Sequence, residues 1–107
     1  LISKGADVNA KDNSEDTPLH IATMNNYKGI AEILLVNGAD ANVRDDWSFA
    51  ALHYAARDGL TDMAKLLIVN GADVNLKRAG SQTALQDARE GGHTEIVELL
   101  CKYGAKE

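Results

Sequence analysis

The chain has 107 residues, enough for one domain, and 45% of them are apolar, 25% charged and only 5% aromatic. Its formal charge is −5 with the cations scattered among acids, which excludes the basic footprint of nucleic-acid binding and serves solubility. No apolar run approaches a membrane span, and a single cysteine cannot form an internal disulfide, so a reducing compartment (cytoplasm or nucleus) is expected.

The chain opens on Leu1-Ile2 and Gly5-Ala6, followed by Asp7 and Asn9. Thr17 then predicts a helix cap and Pro18 a first helical position. This first helix runs for about two turns to Asn26, where a chain reversal with positive φ is expected. A second helix carries Ile30, Ala31, Ile33, Leu34 and Leu35 as a broad apolar face, and Gly38 stops it. The same pair returns from Ala50-Ala51-Leu52-His53 to Gly59, then through Met63, Ala64, Leu66, Leu67 and Ile68 to Gly71. It returns again from Thr83-Ala84-Leu85-Gln86 to Gly92, then through Ile96, Val97, Leu99, Leu100 and Cys101 to Gly104. Gly5-Ala6, Gly38-Ala39, Gly71-Ala72 and Gly104-Ala105 mark a strict interval of 33 residues. Extended, Asp-rich segments suited to hairpins lie between each stop and the next start.

With this period, Thr17-Pro18-Leu19-His20 and Gly71-Ala72-Asp73-Val74-Asn75, the chain closely resembles the ankyrin repeat family over essentially its whole length. The resemblance implies an all-α solenoid of stacked helix-turn-helix units with β-hairpin fingers, binding another protein on its concave side. It also implies no catalytic residues, cofactor or metal. The boundaries that follow are 1–9 for the tail of a preceding repeat, 10–42 and 43–75 for two repeats, and 76–107 for a capping repeat. Where the family usually has glycine two residues before the threonine, this chain has Glu15, Ser48 and Ser81, which predicts stiffer or reshaped fingers. Asp87 and Arg89 replace the apolar or small residues of their columns, as expected for a last unit with an uncovered outer face. At the other end the helices of an earlier repeat are lacking. The expectation is that the natural protein continues upstream or that another chain covers this edge, and that the chain alone is marginally stable or self-associates through its N-terminal edge.

Comparison of equivalent positions locates a candidate binding surface. A column that changes character is free of stacking duty. The fingertip columns Asn13/Asp46/Ala79, Ser14/Trp47/Gly80 and Asp16/Phe49/Gln82 are of this kind, so Trp47 and Phe49 are expected to be exposed and to point the same way. Exposed tryptophan on a projecting edge is a binding anchor. The alternative is that Phe49 folds onto the neighbouring finger and Trp47 caps an apolar edge. Met24, Asn25, Arg57 and Asp58, at the ends of the first helices, complete the candidate surface with Trp47, Phe49, Asp46 and Asp16. The occupant is another protein, or another domain of the same parent chain.

Histidines 20, 53 and 93, Cys101 and the many acids carry no Cys-x-x-Cys or His-Glu-x-x-His spacing. The family resemblance gives His20 and His53 a structural role, bonding backbone groups of adjoining units. Cys101 shares its column with Leu35 and Ile68 and is expected to be a buried hydrophobe. His93 is expected to pack between helices.

Overall fold

A computed structural model describes residues 7–106. Leu1-Ile2 and Gly5-Ala6, on which the reading of a preceding repeat rests, lie outside the described residues. Six helices follow in order: α1 (Pro18–Met24), α2 (Lys28–Val36), α3 (Ala51–Asp58), α4 (Thr61–Val69), α5 (Ala84–Glu90) and α6 (Thr94–Lys102). The turns within the pairs α1/α2, α3/α4 and α5/α6 are short, and Asn26, Gly59 and Gly92 reverse the chain there with φ of 55°, 73° and 73°. Asparagine tolerates this left-handed conformation better than other residues with a β-carbon, which explains its place at the glycine position.

The helix starts follow from side-chain chemistry. The Thr17 hydroxyl accepts from the His20 backbone N–H at 3.4 Å, and Pro18 opens α1. Thr83 and Gln86 repeat the arrangement in α5. Ala50 has no side-chain acceptor, so α3 keeps only the return half, the Ala50 N–H donating to His53 Nδ1 at 3.0 Å.

Leu19, Leu52 and Leu85 on the first helices and Leu34, Leu67 and Leu100 on the second are all buried. Each contributes roughly 1.5–3 kcal/mol when removed from water. Ala22, Ala55 and Ala88 on the first helices are buried too, and α3 packs against both α1 and α5. An asparagine clamp runs along the stack with the 33-residue period. Asn9 Nδ2 donates to Gly38 O and Asn9 Oδ1 accepts from Asp40 N–H; Asn42 does the same with Gly71 and Asp73, and Asn75 with Gly104 and Lys106.

The two ends of the stack differ from its middle. Ile21 and Ile30 are 42% and 51% exposed, whereas their counterparts Tyr54 and Met63 are 5% and 1%. The apolar face expected for α2 is therefore split: Ala31, Leu34 and Leu35 are buried, while Ile30 and Ile33 are open. At the other end Cys101 is exposed, contrary to its expected burial. Leu35 and Ile68 are buried at that position within the stack, and among the described residues no helix pair lies beyond α6.

The fingers also differ from expectation. Among the described residues no β-strand forms, and the only strand-like pairing is an isolated antiparallel bridge between Arg78 and Gln82 around a 3-10 turn at Ala79–Ser81. A backbone bond spans each finger, Asp12 N–H to Asp16 O (2.9 Å), Asp45 to Phe49 (3.0 Å) and Arg78 to Gln82 (2.8 Å), and the first two fingers add Glu15 N–H to Asp12 O (3.0 Å) and Ser48 N–H to Asp45 O (2.9 Å). Glu15, Ser48 and Ser81 hold φ of 61°, 63° and 61°. Replacing glycine thus leaves the left-handed turn in place and loads it with strain.

Candidate interaction surface

Asp45 builds the second finger. Its Oδ1 accepts from the backbone N–H groups of Trp47 (2.9 Å) and Phe49 (3.0 Å), which ties the loop into a tight turn. Trp47 sits at the tip and is 73% exposed, as its column predicts. Asp46, Met24, Asn25, Arg57 and Asp58 are exposed as well. Asn25 Nδ2 is engaged at the end of its own helix, donating to Ile21 O at 2.8 Å.

Phe49 corrects the expectation that it shares the exposure of Trp47. The left-handed turn at Ser48 breaks the extended geometry that would have aligned the two rings. Phe49 instead folds down, half-buried, and stacks on Tyr54 with ring centroids 4.6 Å apart. The Arg78 guanidinium lies 4.2 Å and that of Arg57 5.4 Å from the Phe49 centroid. The column Asp16/Phe49/Gln82 therefore packs inward, and all three residues are half-buried. Arg57 forms an ion pair with Asp58 at 2.9 Å, and this bond first of all raises its pKa. So exposed a pair adds little stability.

Asp87 is the second correction. It is 4% exposed, not a solvent-facing cap residue, and pairs with Arg78 at 2.6 Å while Gln82 also donates to it. In the preceding unit the same two positions are Asp45 and Tyr54, whose hydroxyl donates to Asp45 Oδ2. Burial, then the bond to Asp45, push the Tyr54 phenol above its ordinary value. Column-by-column reading missed this pairing. The signal was present, because Asp45→Arg78 and Tyr54→Asp87 reverse donor and acceptor together.

His20 and His53 hold the fingers to the helices. His20 Nδ1 accepts from Thr17 N–H at 3.0 Å, so the proton resides on Nε2, which donates to Phe49 O of the next unit at 2.9 Å. His53 bonds Ala50 N–H and Leu76 O in the same way. Burial lowers the His53 pKa. Asp16, His20 and Asp45 present ligand-type atoms within 4.8 Å of one another. They do not suit a metal ion, because both His20 nitrogens are already engaged. His93 packs between Gly59 and Gly91, where an added β-carbon on either would come within 2.6 Å of the ring, and its Nε2 bonds Arg57 O at 3.0 Å.

Comparison with known proteins agrees with this architecture. The family model described as ankyrin repeats (3 copies) matches residues 1–45 and 29–107. Ankyrin repeat protein FPV219 of Fowlpox virus (strain NVSL) is 60% identical over 35 residues, 33% of this chain and 8% of that protein. Protein fem-1 homolog C of Homo sapiens and of Mus musculus is 49% identical over 35 residues, 33% of this chain and 6% of theirs. The matched segment thus spans under a tenth of the length of these relatives.

Proposed function

We propose, since the chain belongs to the ankyrin repeat family, whose repeats generally mediate protein–protein interactions, that it holds a partner protein against its fingers and first helices with Trp47 as the anchor. The supporting observation is a large, amphipathic ring held 73% exposed at the tip of a finger whose base is fixed by Asp45. Such a side chain buries much area at little conformational cost, and its rigid support keeps that cost low. Arg57, Asp58 and Asp46 are exposed and would supply a polar rim, while Met24, exposed as well, would add a flexible apolar contact. No step of chemistry is assigned to the chain: the family is typically non-catalytic, and the histidines here are committed to backbone bonds.

The test is recovery of partners from a cell extract on immobilised wild type and on Trp47→Ala, followed by affinity measurement with the purified partner. Trp47→Ala is expected to weaken binding by about 2 kcal/mol or more, with an unchanged helical circular-dichroism signal. Equal affinity in the two proteins would remove Trp47 from the surface.

A further inference from the structure

The two junctions between successive fingers use the same positions but different chemistry. At the second junction Phe49 packs against the Arg78 guanidinium. One repeat earlier those positions are Asp16 and Asp45, so the first junction sets carboxyl against carboxyl, with oxygens within 4.8 Å. Asp16 Oδ1 is shielded from water, yet among the described residues no N–H or O–H group donates to it. Asp45 already accepts from Trp47 N–H, Phe49 N–H and the Tyr54 hydroxyl. The groups around the pair are Asp12 and Asp46 from the fingers, Tyr54 from α3, itself acted on by Arg57, and His20 from α1. Arg57 is tied to Asp58, and His20 is occupied on both nitrogens. Two carboxyls this close and this dry resist joint ionisation, and a single proton between them supplies the missing donor.

We propose that Asp16 and Asp45 share one proton across the first junction, and that its loss loosens the finger carrying Trp47, so that the binding surface is proton-gated. The gating of binding rests on the reading of Trp47 as the anchor; the shared proton does not. Asp45 shapes the Trp47 turn, and the adjacent Asp46 N–H donates across the junction to Ser14 O at 3.2 Å, so repulsion acts where the anchor is held. Burial, then the bond and charge of Asp45, then Asp12 and Asp46, push the Asp16 carboxyl up to about 7. Burial opposes ionisation of Asp45, but bonds from Tyr54, Asp16, Phe49 and Trp47 outweigh it and hold that carboxyl below its ordinary value. A carboxyl raised in the folded state contributes stability that is full below its unfolded value of 3.8 and is lost as pH rises through about 7.

The experiment is a pH titration of the full 107-residue chain from about pH 5 to 9 by NMR. It reads the Trp47 and Phe49 amides together with the Asp16 side-chain carboxyl carbon. The amides are expected to shift with a midpoint near 7, coincident with the Asp16 carbon. Asp16→Asn, whose amide donates without titrating, is expected to abolish the amide transition. The proposal is overturned by an Asp16 carbon that titrates near 4, by a transition that persists in Asp16→Asn, or by calcium ions reversing the shift at pH 8. If the transition is found but Trp47→Ala binds the partner as wild type does, the shared proton stands and the anchor assignment fails.

Discussion

A buried histidine that both caps a helix and reaches the next finger concentrates two functions in one ring. In His53 the Nδ1 acceptor and Nε2 donor are both matched, to Ala50 N–H and Leu76 O, while the ring itself is 1% exposed. Truncation would leave both backbone groups without these partners and open a cavity. His53→Ala is accordingly expected to cost about 2–4 kcal/mol, read as a lower urea midpoint at unchanged slope. Its pH dependence opposes that of Asp16. A histidine whose pKa is lowered by folding contributes stability present above its unfolded value of 6.5 and lost as pH falls below it. The two effects run in opposite directions where they overlap below pH 6.5, whereas from 6.5 to about 7 the Asp16 loss stands alone, and the difference between wild type and Asp16→Asn isolates the carboxyl.

At the scale of the finger, backbone strain decides what the sequence can change cheaply. Ser48 holds a φ of 63° in a turn that glycine adopts freely. Ser48→Gly is expected to stabilise the chain by roughly 0.5–1 kcal/mol after the added freedom of the unfolded chain is counted, measured as a rise in thermal midpoint. An unchanged or lower midpoint would mean that the serine conformation costs nothing. The helices were legible in the sequence because period, cap and stop each have a local cause, as at Thr17, Pro18 and Gly38. The inward turn of Phe49 was legible only as the alternative to exposure, since it depends on the left-handed residue before it and on Arg78, which lies in the next finger. Asp87 was misread for a similar reason. Its partner Arg78 lies 9 positions away in the same repeat, and a column considered alone hides a pair that changes together. Cys101 shows the complementary error, because its column is buried at Leu35 and Ile68 but open at Cys101.

For the whole molecule, stacking explains both what is hidden and what is left open. The face formed by Ile21, Tyr27, Ile30 and Ile33 exposes apolar surface at positions that are buried or half-buried in α3 and α4. The opposite end presents Gln86, Arg89 and Cys101 to solvent, so the two ends are not complementary in a head-to-tail sense. Self-association through the apolar edge is therefore expected at high concentration. Sedimentation should show the double substitution Ile21→Lys/Ile30→Lys shifting the chain towards monomer, and a wild type that stays monomeric throughout would contradict this.

The proposed binding surface turns on Trp47, the finger-two aromatic that the fold leaves exposed. The most direct measurement compares the partner's dissociation constant for wild type, Trp47→Ala and Val69→Ala, the last altering an exposed apolar residue on the outer helix α4. Trp47→Ala is expected to raise it by about 30-fold, with Val69→Ala unchanged. Equal constants for wild type and Trp47→Ala, or an equal loss in Val69→Ala, would contradict the account.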